Sequence, residues 1–125
     1  MSPAPQFWVD GNATQSLPLP DRGVELGDGL FETLLLRRGH ILYSDLHLQR
    51  LQRGLQVLGF PPCMAQARTY LDAAAANCAQ QEWAALRLTI TRGSAPRGYA
   101  PPANAIPRIL VAVSAITRDC REPLP

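Results

Sequence analysis

At 125 residues, with 46% hydrophobic and 18% charged residues, the chain has the composition of one globular domain rather than a disordered segment, and can bury roughly 65% of the surface its unfolded form exposes. A formal net charge of +2, no basic block, and only three tyrosines, three phenylalanines and two tryptophans argue against a nucleic-acid surface. No apolar run approaches the roughly 20 residues that cross a bilayer, the first residues lack the basic start and apolar core of a signal peptide, and Cys63, Cys78 and Cys120 form no CxxC. A soluble protein of the reducing cytoplasm is expected, with its cysteines as packing residues and no metal site. All 12 basic Lys+Arg residues are arginines; the sequence contains no lysine.

Phe7-Trp8-Val9, Asp10-Gly11 and Asn12-Ala13-Thr14 predict a strand, a tight turn and a return strand. Pro18 and Pro20 interrupt regular structure before Asp21, whose carboxylate is placed to cap a short helical turn from Arg22. Gly23, Gly27 and Gly29 follow closely, with Asp28 between the last two. A strand over residues 30–36, a reversal at Arg37-Arg38-Gly39 and a return over residues 40–43 predict a second hairpin. Its period-2 alternation puts Leu30, Glu32, Leu34 and Leu36 on one face and Phe31, Thr33 and Leu35 on the other. Glu32 thus shares a face with three leucines, where a carboxylate needs a partner, one of the many arginines, or a strand end near solvent.

Ser44, with Asp45 next, opens a helix that runs to about Leu58, where Gly59 stops it. Leu48, Leu51, Leu55 and Leu58 form its apolar stripe, and His47, Arg50, Gly54 and Val57 run along one flank. An arginine in that position either snorkels over the core edge or reaches into a cleft to hold an anion. A second helix, residues 64–79, places Ala67, Leu71, Ala74 and Cys78 at core spacing. Residues 85–92 alternate as a half-buried strand, residues 93–102 form a glycine- and proline-rich loop displaying Arg97 and Tyr99, and residues 106–116 read as a strand interior to the sheet. The fold expected is α+β, a mainly antiparallel sheet with two principal helices.

Three motifs, DRGVELGDGLFET (residues 21–33), HLQRL (47–51) and TRGSAPRGY (91–99), resemble in order and approximate spacing the branched-chain aminotransferase-like enzymes that use pyridoxal 5'-phosphate. That group includes D-amino-acid aminotransferases and 4-amino-4-deoxychorismate lyases. Each motif alone is weak; together they are specific, and the likeness extends over nearly the whole chain. The resemblance implies that Arg50 binds the cofactor phosphate and that Phe31, Arg97 and Tyr99 line the substrate side. D-amino-acid aminotransferases typically carry tyrosine and histidine where this chain has Phe31 and Tyr99. The FWVDG opening and the TRGSAPRGY loop are most similar to the lyases, which cleave 4-amino-4-deoxychorismate to 4-aminobenzoate and pyruvate in folate synthesis.

Such enzymes hold the cofactor through a Schiff base to a lysine of a C-terminal domain, and this chain has none to offer. The resemblance therefore implies an N-terminal α+β domain over residues 1–117, the start of an interdomain linker over 118–125, no catalysis by these residues alone, and a small-molecule substrate bound by a homodimer. A branched-chain or D-amino-acid aminotransferase is the alternative, and a stand-alone, non-catalytic binding or assembly module is a third reading.

Overall fold

A computed structural model describes residues 6–18, 20–94 and 106–117. Six strands form one antiparallel sheet: β1 Gln6–Val9, β2 Asn12–Ala13, β3 Gly29–Arg37, β4 His40–Ile41, β5 Trp83–Thr91 and β6 Arg108–Ala115, in the order β2-β1-β6-β5-β3-β4. Three helices complete the α+β fold: the short α1 Arg22–Leu26, α2 Ser44–Val57 and α3 Met64–Ala76. The sheet and its helices make two layers around one core.

Alternation along the strands decides which side chains enter that core. Leu34 and Leu36 of β3, Leu86, Leu88 and Ile90 of β5, and Ile109, Val111 and Val113 of β6 are all buried, against Leu51 and Leu55 of α2 and Ala67, Leu71 and Ala74 of α3. The register pairs Glu32 with Leu88 and Leu34 with Leu86, so the inner face is continuous across strands. At roughly 25 cal/mol per Å² of apolar surface removed from water, this cluster supplies most of the force that holds the helices on the sheet.

Both expected hairpins form. The second turns at Arg38 (φ 48°) and Gly39 (φ 82°). A Cβ on Gly39 would lie 3.1 Å from the Ala75 carbonyl oxygen and from Ala79 Cα, so glycine there lets the turn sit against the end of α3. Asp21 caps α1 as its position suggests, accepting from Gly23 N at 2.8 Å and Val24 N at 3.3 Å.

Several boundaries differ from expectation. The return strand stops at Ile41, because Tyr43 adopts a left-handed conformation (φ 56°) and is itself the cap residue of α2, with Ser44 the first helical residue and no side-chain cap bond. α3 ends at Ala76 rather than Ala79, its last carbonyls taken up by a turn over residues 77–80. Leu58, expected in the apolar stripe, is 45% exposed, since it lies past the last helical turn. Thr91, which alternation along β5 sets on the face opposite Leu88 and Ile90, is nevertheless buried: α1 covers it, and its hydroxyl donates to Asp21 Oδ2 at 2.9 Å.

Candidate functional site

β3 presents two kinds of side chain on its two faces. On the open face, Phe31 and Thr33 are exposed and Leu35 half-buried; on the inner face, Glu32 is only 8% exposed among leucines. A carboxylate so placed is costly unless each oxygen is answered. The flank of α2 answers both. His47 and Arg50 are three residues apart and so share one side of the helix. His47 Nδ1 lies 3.2 Å from Glu32 Oε1, and Arg50 Nη2 forms an ion pair with Glu32 Oε2 at 3.5 Å.

Arg50 nevertheless keeps 73% of its side chain exposed. It lines an open cleft of about 640 Å³ together with Thr33, Leu35, Tyr43, His47 and Arg53. The cleft is bounded by the outer face of β3, the β4–α2 turn and the first turns of α2. Among the described residues that line it none is acidic, while two guanidiniums and an imidazole face it. This arrangement suits an anion, because a planar guanidinium offers parallel N–H donors that match phosphate or carboxylate oxygens.

The far end of α2 is itself anchored by charge. Asp28, in the turn before β3, accepts from Arg22 Nε at 2.7 Å and from Arg92 Nε at 2.9 and 3.1 Å. Arg92 also donates to the carbonyl oxygens of Leu58 (2.6 Å) and Gly59 (3.3 Å), past the end of α2, and stacks 4.1 Å over the Phe60 ring. Burial alone raises the Asp28 pKa, but the hydrogen bonds and charges of Arg22 and Arg92 outweigh it, leaving the carboxyl below its ordinary value. A neighbouring cluster joins Asp21 to Thr91 and to Arg108, which also donates to Ser94 Oγ at 2.9 Å.

Of the residues singled out from the sequence, Arg50 sits in the cleft. Phe31 is on the outer face of the same strand, 55% exposed, and does not line that cleft; Arg87 Cζ stands 4.0 Å over its ring. Arg97 and Tyr99 lie outside the described residues. Sequence reasoning left the partner of Glu32 open and did not single out Arg87. The clue to the first was the short β3–β4–α2 connection, which folds the His47–Arg50 flank back over the strand. The clue to the second was the antiparallel register that sets Arg87 opposite Thr33, beside Phe31.

Residues 29–122 match the family Amino-transferase class IV. The aminodeoxychorismate lyase of Vibrio harveyi is 35% identical over 76% of this chain and 34% of its own length. The bifunctional aminodeoxychorismate lyase / D-amino acid transaminase of Mycobacterium tuberculosis is 35% identical over 89% of this chain and 44% of its own. Among solved structures, 4-amino-4-deoxychorismate lyase from Pseudomonas aeruginosa superposes with a TM-score of 0.77 and 42% identity, over 84% of this chain and 38% of that one. A hypothetical aminotransferase from Mycobacterium tuberculosis in its PLP-bound form gives 0.72 and 29%, over 91% and 41%. The chain thus spans less than half the length of each of these proteins.

Proposed function

Because the chain belongs to the class IV aminotransferase family, we propose that it forms the phosphate-gripping N-terminal domain of a pyridoxal-5'-phosphate-dependent lyase. The reaction is cleavage of 4-amino-4-deoxychorismate to 4-aminobenzoate and pyruvate. The observation that carries this reading is the Arg50 guanidinium, tied at Nη2 to a buried carboxylate and otherwise open to a cleft that no acidic residue lines among those described and that is large enough for a small cofactor.

In this reading Arg50 holds the cofactor phosphate, Arg53 and His47 add positive or hydrogen-bonding character to the same wall, and Thr33, Leu35 and Tyr43 shape its floor. Phe31, Arg97 and Tyr99 belong to the substrate side. Once bound, the cofactor supplies the electron sink for the bond cleavage. With no lysine in these 125 residues, covalent attachment and proton transfer fall to a C-terminal domain, and residues 1–117 alone are not catalytic. The working assembly is a cytoplasmic homodimer, and the apolar side chains left in solvent at Val24 and Val57 are surface for a second subunit or for the C-terminal domain.

Incubating the full-length protein with 4-amino-4-deoxychorismate and following 4-aminobenzoate tests the activity; amino transfer to 2-oxoglutarate with no lyase product would sink it. That second outcome is the aminotransferase reading, favoured by the bifunctional relative from Mycobacterium tuberculosis. Replacing Arg50 with alanine should make the full-length protein lose its cofactor on dialysis. Cofactor content equal to the unmodified protein would remove Arg50 from the phosphate site.

A further inference from the structure

We infer that Glu32 is a positioning residue: it acts through Arg50, fixing the guanidinium that grips the cofactor phosphate, and His47 in turn fixes Glu32. The inference rests on the phosphate role given above to Arg50 and goes beyond it to what makes that grip effective.

Glu32 is an anomaly of the inner face of β3. Every second residue beside it, Leu30, Leu34 and Leu36, packs against the core, and leucine would fit the pattern. Buried ion pairs are often no more stabilising than the apolar residues that replace them, and many are less so. Folding therefore gives weak grounds for a carboxylate here. Its geometry gives a better one. Each oxygen has its own partner on α2, His47 at 3.2 Å and Arg50 at 3.5 Å, while Glu32 itself is almost inaccessible. The carboxylate is held by β3 on one side and His47 on the other, so Oε2 is a fixed point. Arg50 is a long side chain, 73% exposed, with several rotatable bonds. Pairing one guanidinium nitrogen with a fixed oxygen removes much of that freedom before the ligand arrives. The remaining N–H groups are then presented to a phosphate without the ordering cost being met at binding.

A carboxylate beside a phosphate site also repels the ligand, and this gives the test its sign. If Glu32 mattered only through its charge, neutralising it would tighten binding. If it positions Arg50, neutralising it loosens binding despite the lost repulsion. The probes are pyridoxal 5'-phosphate and pyridoxal, which differ only in the phosphate, titrated into the cofactor-stripped full-length protein and followed by absorbance. Glu32→Gln keeps the volume and removes the charge. It should weaken pyridoxal 5'-phosphate by about three- to tenfold, the range expected for releasing one ordered long side chain, and leave pyridoxal within about twofold. In an Arg50→Ala background the same substitution should add nothing.

Tightened binding, or equal weakening of both probes, overturns the inference and leaves the Arg50 assignment standing. So does a Glu32→Gln loss that persists undiminished beside Arg50→Ala. If Arg50→Ala itself does not weaken pyridoxal 5'-phosphate, both fall together. Glu32→Leu supplies the stability arm: it should melt no lower than the unmodified protein while binding pyridoxal 5'-phosphate as weakly as Glu32→Gln. A large fall in melting temperature without a phosphate-specific loss would make Glu32 a purely structural residue.

Discussion

Asp28→Asn is the substitution that most sharply tests how this domain is held together. Asp28 is 16% exposed, and the two arginines it serves are 6% and 5% exposed at Arg22 and Arg92. Asparagine keeps the shape and one acceptor oxygen. Its amide nitrogen, however, turns a donor toward a guanidinium that has only donors to offer. Removing one member of a buried charge cluster costs about 3–5 kcal/mol. The lower end applies here, because Arg92 keeps the Leu58 and Gly59 carbonyls and the Phe60 ring. For a domain of this size about 3 kcal/mol corresponds to a fall of roughly 10–15 °C in melting temperature. The control is Glu82→Gln, which breaks the exposed Arg37–Glu82 pair at 3.8 Å and should change stability by less than about 0.5 kcal/mol.

The pH dependence follows from the direction of the shift. The Asp28 carboxyl is easier to ionise folded than unfolded, so the unfolded chain binds more protons. Its contribution is fully present above the ordinary aspartate pKa of about 3.9 and is lost as pH falls through the lower, folded value. Urea denaturation of the 125-residue chain, followed by the fluorescence of Trp8 and Trp83, should show the widest gap between Asp28→Asn and the unmodified chain at pH 7. The gap should narrow below about pH 4. A difference under about 1 kcal/mol at pH 7, or a gap that stays constant into acid, would refute the cluster as a stabilising device.

Gly54, one turn beyond Arg50, has room for a methyl group whose nearest neighbour would be Leu30 Cδ2 at 3.4 Å. Gly54→Ala should therefore stabilise α2 by about 0.5–1 kcal/mol in denaturant midpoints, and unchanged cofactor affinity would show that Gly54 is not there for ligand clearance. Gly29→Ala should do the opposite: its Cβ would lie 2.6 Å from the Ile90 carbonyl oxygen, within the β3–β5 ladder where backbone cannot yield, so a loss of about 1–3 kcal/mol is expected by the same assay. Burial pushes the thiols of Cys63 and Cys78 up from their ordinary pKa, and native-state labelling by a disulfide reagent at pH 8, located by mass spectrometry, should leave both unmodified until urea unfolds the chain.

Local pattern made much of this fold legible. Asp10-Gly11 and Arg38-Gly39 announced their turns because the residues needed for positive φ sit between alternating strands. The α2 stripe announced its buried side through Leu51 and Leu55, and Asp21 announced its cap. Boundaries were less legible: the return strand expected over residues 40–43 stops at Ile41, because Tyr43 turns left-handed and caps the helix that Ser44 opens. What period and spacing cannot give is the partner of a charge. Asp28 and Arg92 are 64 residues apart, and Asp21 and Arg108 are 87 apart; only the sheet order brings them together. At the candidate site Arg50 was legible as an arginine beside a buried face. That it spans the rim, with one nitrogen on a buried carboxylate and the rest in a cleft, depended on how α2 crosses β3.

That crossing has a simple metric. Asp28 and Glu32 are four strand residues apart, about 13 Å at strand rise. Arg50, which pairs with Glu32, and Leu58, whose carbonyl is held through Arg92 by Asp28, are eight residues apart, about 12 Å at helical rise. The two spans match, with the helix running opposite in direction to the strand. Two acids near one end of β3 therefore fasten α2 at two points, one near its middle and one just past its end. A single fastening would leave the helix free to pivot about it on a layer of leucines, which pack without directional preference. Two fastenings of matched length fix its angle, and with it the place where the Arg50 backbone stands. Asp28 ties down the end of α2 through Arg92, and on the inference above Glu32 directs the Arg50 guanidinium. On the phosphate role proposed for Arg50, a displacement of about 1 Å in either would be enough to spoil a bidentate contact to phosphate.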